Sequence, residues 1–117
     1  MGTRCTISTK DENGEYFIFR HWDGYPDAVV PDILKALPYA WELPRFEADE
    51  FITALVCAFK DGAGNIRFAK SHEQYGDTEY KYYITLKDNK LHLKIFDIYE
   101  NKYIFDSYYE DALSKWK

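Results

Sequence analysis

The last third of the chain holds the sequence feature that most restricts the fold. In residues 80–87 every second residue is apolar or aromatic, which predicts a β-strand with one buried face. Polar turns at 88–89 and 100–101 lead into two further β-type runs, so this third predicts an antiparallel meander. The apolar positions change phase at Ile95-Phe96, which indicates either a bulge or burial on both faces of the strand. The two further runs are residues 91–99 and 102–106.

The beginning of the chain predicts a β-hairpin. A β-type run at residues 5–9 and an aromatic run at 16–22 flank Asn13-Gly14, a pair that favours tight hairpin turns. Apolar or aromatic residues fall on both faces of the second run. We therefore expect this strand to be central in a sheet.

The middle of the chain predicts two helices. Val30, Ile33 and Leu37 repeat at helical spacing, with Pro31 suited to the first turn, and indicate a short helix that ends before Pro38.

The second helix is longer, and a third one closes the chain. Apolar residues from Phe51 to Phe59 indicate the second helix, which ends before Gly62. Ser107 and Glu110 form a capping-box pattern before a short C-terminal helix.

These elements predict one α+β domain over residues 1–117, in which an antiparallel sheet from the N-terminal hairpin and the C-terminal meander packs against the two central helices. No apolar run approaches the roughly 20 residues of a membrane span, which excludes a spanning protein. The N-terminus has no basic start followed by an apolar stretch, so we expect a cytoplasmic protein.

The formal charge of −5 argues against direct binding to nucleic acid, which needs clustered Lys and Arg. Most tyrosines follow residue 79, and no basic cluster is evident around them in the sequence, so packing or protein recognition is the better interpretation. Cys5 and Cys57 are expected to be free, buried thiols. No recognised spacing of Cys and His predicts a metal site, and no cofactor is predicted.

The segment 21–26, with the sequence HWDGYP, combines polar groups and large rings at a strand-to-helix corner. Trp22 and Tyr25 could anchor an interface or cover the edge of the core. Asp23 could contact a partner, could stabilise the bend, or could form an acid-base pair with His21 on an extended strand. The sequence leaves these alternatives open.

A second candidate contact surface is the densest acidic stretch of the chain. It contains Glu42, Glu47, Asp49 and Glu50. Catalysis by paired carboxylates is disfavoured because nothing in the spacing fixes a distance between them. Asp49 and Glu50 suit a helix N-terminus, and the whole stretch suits a basic partner.

Four segments carry a resemblance to a known family. They are residues 20–26, 40–51, 64–67 and 76–80, and together they resemble small phage and prophage proteins that bear an HWDGYP motif. This resemblance implies a phage origin and no particular reaction. Small accessory phage proteins often act on host machinery, and some, such as anti-CRISPR proteins, inhibit bacterial defence.

The sequence and the resemblance together favour a non-enzymatic phage-type protein that binds and inhibits a host protein complex, such as a CRISPR-Cas defence system. The expected contact residues are Trp22, Asp23, Tyr25 and the four carboxylates of the acidic stretch. One alternative is a small enzyme or nucleotide-binding protein that uses His21 and Asp23 in a pocket. Another is a self-associating structural protein, for instance a homodimer built through the tyrosine-rich meander.

Overall fold

A computed structural model describes residues 2–116, which form a six-stranded sheet and three α-helices. The strands are β1 (Cys5–Asp11), β2 (Gly14–Arg20), β3 (Ile66–Ala69), β4 (Tyr80–Lys87), β5 (Lys90–Asp97) and β6 (Lys102–Tyr108). The helices are α1 (Pro26–Ile33), α2 (Ala48–Phe59) and α3 (Tyr109–Lys115), and a 3-10 helix, Leu34–Tyr39, continues α1. The predicted α+β class, the N-terminal hairpin and the C-terminal meander are confirmed.

The sheet has the order β3-β2-β1-β4-β5-β6, which joins the hairpin to the meander. All neighbouring strands are antiparallel except β1 and β4, which are parallel, so the sheet is mixed where the sequence predicted an antiparallel one. The predicted central position of β2 is confirmed, since it pairs with β1 on one side and β3 on the other. The register shift expected of a bulge is also present at Ile95/Phe96.

The hairpin turns between β4 and β5 and between β1 and β2 use different chemistry. At Asp88 and Asn89 the backbone has positive φ of 55° and 63°, the conformation that favours Asn and Asp in tight hairpins. The first hairpin turns instead at residues 12–13, where the Asp11 carboxylate accepts from the amides of Asn13 and Gly14 at 2.8 and 3.1 Å. Gly14 already belongs to β2, so the expected Asn-Gly loop is displaced by one residue.

The first helix begins earlier than the apolar spacing indicates. Pro26 occupies the first helical turn, where its missing N–H costs nothing, and Pro31 lies inside the helix. The α-helix ends at Ile33, before Pro38 as predicted, and the 3-10 helix then carries the chain through Pro38. The predicted capping box is absent, because the Ser107 hydroxyl donates to the Asp111 carboxylate at 2.7 Å.

One face of the sheet packs against the helices and contains the core. The other face is covered over β1 and β2 by the loop 70–78, which brings His72 and Tyr75 onto Phe17 and Phe19. Among residues 2–116 no helix is long and apolar enough to cross a membrane. The largest buried side chains of the core are Tyr82, Phe51, Ile7, Ile18, Ile33, Leu55, Leu93 and Ile95.

Candidate functional site

The segment 21–26, called here the corner, has its backbone held from three sides. The amide of His21 donates to the carbonyl of Asn65 at 2.8 Å, and the amide of Gly24 donates to the carbonyl of Thr3, also at 2.8 Å. The hydroxyl of the fully buried Tyr82 donates to the Gly24 carbonyl at 2.6 Å. Because its polar groups are paired inside the fold, the corner is a rigid structural turn.

The same turn directs three side chains into solvent. Trp22 is 40% exposed and Tyr25 is 41% exposed, and Asp23 between them is also exposed. Asp23 has φ of 58°, a left-handed conformation that Asp adopts more readily than most residues. Within residues 2–116 its carboxylate makes no hydrogen bond or ion pair. The corner therefore locks the fold and also presents a polar, aromatic surface.

The structure does not bring His21 and Asp23 together. The left-handed backbone at Asp23 interrupts the strand, so the two side chains do not share an extended face. The His21 ring packs edge-on against Phe19 and Trp22, with ring centroids 5.9 and 5.5 Å apart. Across the described part of the chain, no hydrogen bond or ion pair joins His21 to Asp23.

The acidic stretch lies at the other end of α2 from the corner. The amide of Ala48 at the start of α2 donates to the Asp11 carboxylate at 2.8 Å, at the far end of β1. The last residue of α2, Phe59, packs beneath Arg20 next to the corner. A helix of this length, 12 residues, spans about 18 Å. The seven predicted contact residues therefore form two separate groups.

The acidic group itself is largely exposed. Glu42, Glu47 and Asp49 are exposed, and Glu50 is half-buried. Asp49 and Glu50 stand in the first turn of α2, where negative charge interacts favourably with the helix dipole. Only Glu47 has an ion-pair partner among residues 2–116, Arg45 at 3.7 Å. Most of this negative charge is thus available to solvent.

A polar cleft of about 330 Å³ lies beside the corner. Two predicted contact residues, Trp22 and Asp23, line it, and His21 does not. The sequence did not single out Arg20, which lies at the end of β2 and points to the helix face beside the cleft. The sequence feature that could have indicated Arg20 is strand alternation, which puts this charged residue on the same face as the apolar Ile18. The other lining residues are Asp32, Lys35, Ala58, Phe59, Lys60, Asp61 and Asn65.

The outer face of the meander places lysines beside aromatic rings, so basic residues do lie around the tyrosines, although the sequence shows no basic cluster there. Lys94 lies 5.3 Å from the ring centre of Tyr83 and 5.0 Å from that of Tyr103. Lys81 forms an ion pair with Glu73 at 2.7 Å, and Lys94 stands opposite Asp106 on β6. Acidic residues are thus interspersed with these cations, and the face is not a basic patch.

His72 fastens the loop 70–78 onto the sheet. Its ring is buried between Phe17 and Tyr83, with centroids 5.0 and 4.3 Å away, and Nδ1 shares a hydrogen bond of 2.7 Å with the Thr6 hydroxyl. Burial lowers the pKa of His72 from 6.5 to about 4, with Lys81 adding to the effect and Glu73 opposing it. His72 is therefore neutral in the folded protein near neutral pH.

This burial makes stability depend on pH. In the unfolded chain His72 takes up a proton as the pH falls below 6.5, and the folded protein resists protonation until about pH 4. The free energy of unfolding should therefore decrease as the pH is lowered from 6.5 to about 4, by up to about 3 kcal/mol in total. We expect His72→Gln to flatten this dependence in urea unfolding from about pH 7 to about pH 5, above the range in which carboxylates lose their contribution. If the free energy of unfolding changed equally with pH in the wild type and the variant, this result would contradict the assignment of the pH dependence to His72.

The two cysteines differ in environment. Cys5 is fully buried, and this burial raises its thiol pKa to about 12, which leaves it unreactive. Cys57 is exposed, so the expectation that both thiols are buried is wrong for Cys57. It lies on the solvent side of α2, at a position that the wide apolar pattern of this helix did not distinguish.

Comparisons with known proteins add no assignment. Neither a scan against protein-family models nor searches of curated proteins and solved structures found a match to this chain. The resemblance to the HWDGYP phage family stays a prediction. In residues 2–116 no three His, Cys, Asp or Glu side chains are grouped so that they could hold a metal ion.

Proposed function

We propose that this protein binds a partner protein stoichiometrically through the corner, with Trp22, Asp23 and Tyr25 as its contact residues. The observation that supports this proposal is the combination of a fixed backbone with outward-facing aromatic side chains. Trp and Tyr are enriched among the residues that dominate binding energy at interfaces. Because the turn is already ordered, little backbone entropy is lost when a partner docks.

The partner that we propose is a host protein complex of a bacterial defence system, such as a CRISPR-Cas complex, in the bacterial cytoplasm. The resemblance to phage proteins supports the choice of host. The exposed carboxylates at the start of α2 support a partner with a basic groove, one that holds nucleic acid in its own function. Binding there would inhibit the complex without any reaction catalysed by this chain.

Capture from a bacterial lysate with active defence complexes tests the corner. We expect the wild type to retain a stoichiometric partner and Trp22→Ala to lose it, since removing an aromatic anchor costs about 2 kcal/mol or more of binding energy. Tyr103→Ala is the control, because Tyr103 is an aromatic side chain that is 52% exposed and lies on β6, in neither the corner nor the acidic group. Circular dichroism checks that both variants fold. Retention by Trp22→Ala, or equal loss in both variants, would contradict the proposal.

Neutralising the acidic group tests whether it contributes at long range. The variant carries Glu42→Gln, Glu47→Gln, Asp49→Asn and Glu50→Gln. We expect slower association with the captured partner and a flatter dependence on salt, since exposed charges steer encounter more than they hold a complex together. Association rates measured from low to physiological ionic strength give the slope. An unchanged rate and slope would remove the acidic group from the proposal and leave the corner as the contact surface.

A further inference from the structure

The cleft beside the corner contains a buried cation with unsatisfied hydrogen-bonding capacity. The Arg20 side chain is only 9% exposed, and the ring of Phe59 lies 4.7 Å from its guanidinium carbon. Its Nε donates to the Trp22 carbonyl at 3.2 Å, and one terminal nitrogen donates to Asp32 at 2.7 Å. The other terminal nitrogen, Nη1, is buried and has no partner among residues 2–116.

A buried donor without an acceptor is unfavourable, and native proteins seldom leave one in this state. Nη1 can donate two hydrogen bonds, and an arginine fork matches the geometry of carboxylate and phosphate oxygens. Arg20 lines the cleft and its Nη1 is covered, so an acceptor bound at the base of the cleft reaches this nitrogen once the side chains over it shift slightly. This donor therefore points to a ligand with an anionic oxygen.

The charges that line the cleft balance, since Arg20, Lys35 and Lys60 stand against Asp23, Asp32 and Asp61. Asp32 already binds both Arg20 and Lys35, at 2.7 and 3.1 Å. The carboxylates of Asp23 and Asp61 also line the cleft, but both residues are exposed, so water weakens their field. An anionic oxygen is therefore favoured by the unpaired Nη1 of Arg20 and not by the net charge of the cleft.

The rim offers a further cation and a ring. Lys60 lines the cleft and is exposed, and its ammonium donates to the Ile66 carbonyl at a long 3.3 Å, so it can turn toward a ligand. Trp22 adds an exposed ring on the same rim.

We propose that this cleft binds a small molecule through a phosphate or carboxylate group, which accepts hydrogen bonds from Arg20 and pairs with Lys60. The exposed carboxylates at the rim then favour a ligand that carries hydrogen-bond donors away from its anionic group. The volume of about 330 Å³ suits a small metabolite. This site adjoins the proposed protein contact and shares Trp22 and Asp23 with it.

Titrations of isotope-labelled protein with inorganic phosphate and with sodium acetate, followed by NMR, test the site. Both run to about 20 mM at constant ionic strength, since a single anionic group binds in the millimolar range. We expect at least one anion to give saturable shifts at the Arg20 Nε–H, the Asn65 amide and the Trp22 indole. Phosphate alone, acetate alone or both would identify the group that the site accepts. No saturable shift with either anion would overturn the proposal.

Charge variants at the rim separate a real site from general attraction and avoid the structural role of Arg20. We expect Lys60→Gln to raise the dissociation constant of the bound anion about threefold and Asp61→Asn to lower it about threefold. This factor is the effect of one unit charge at about 7 Å in water. Lys102→Gln is the control, because Lys102 is also exposed and lies on the opposite edge strand of the sheet. Equal weakening by Lys60→Gln and Lys102→Gln would overturn the proposal.

Discussion

Gly24→Ala is expected to lower the free energy of unfolding by about 3 kcal/mol, the upper part of the range for overpacked sites. A Cβ at this position would lie 2.8 Å from the Thr3 carbonyl oxygen and 3.0 Å from both the Arg4 carbonyl carbon and the Cys5 Cβ. These neighbours are backbone atoms just before β1 and the Cβ of its first residue, so they cannot move aside without shifting the start of the strand. Urea unfolding near neutral pH measures the loss.

Gly76→Ala is the matched control for this substitution. A Cβ on Gly76 meets no atom within 4 Å, so the free energy of unfolding should change by less than about 0.5 kcal/mol. If Gly24→Ala were as well tolerated as Gly76→Ala, this result would contradict the close packing of the corner against the start of the first strand. The corner would then be a surface loop and would lose the rigidity on which the proposed contact depends.

Asp32→Ala is expected to lower the free energy of unfolding by about 2 to 3 kcal/mol, because it leaves the buried guanidinium of Arg20 without its counter-ion. The value is below the range for fully buried pairs, since the Asp32 side chain is 25% exposed and water replaces part of the interaction. The same carboxylate also binds Lys35, an exposed side chain one helical turn away. Urea unfolding of the variant and the wild type under the same conditions gives the difference.

Lys35→Ala isolates the exposed part of this network. Loss of the Lys35–Asp32 ion pair should lower the free energy of unfolding by no more than about 0.5 kcal/mol, as for other exposed pairs on a helix. A similar small effect for Asp32→Ala would mean that Arg20 does not depend on Asp32, and would contradict the description of Arg20 as a buried cation held by one carboxylate. The two substitutions thus separate the buried pair from the exposed one.

Local patterns predicted most of the elements, because each strand and helix has its own periodicity. The alternation in residues 80–87 predicted β4, and the apolar face of residues 51–59 predicted α2. The parallel pairing of β1 with β4 was not predictable in the same way, since these strands are separated by the whole central part of the chain and no local signal specifies their partner. The early start of α1 was missed because Pro26 and Pro31 both satisfy the rule for a first-turn proline.

The candidate site was predictable only in part. The composition of residues 21–26 indicated a site or a locked turn, and the structure shows how one segment locks the turn and also exposes Trp22, Asp23 and Tyr25. The sequence could not show that α2 separates these residues from the acidic group, because that distance depends on the packing of a whole helix. Arg20 was missed because strand alternation gives the face of a residue and does not reveal an unpaired buried nitrogen.

Mapping the bound surface by NMR would test the central claim most directly. The captured partner, unlabelled, is added to isotope-labelled protein, and the backbone amide and Trp indole signals are followed. We predict that the largest changes occur at residues 21–27, with smaller changes at the start of α2. Changes confined to the outer face of the meander, around Tyr83, Lys94 and Tyr103, with the corner unaffected, would contradict the account and place the contact on the sheet.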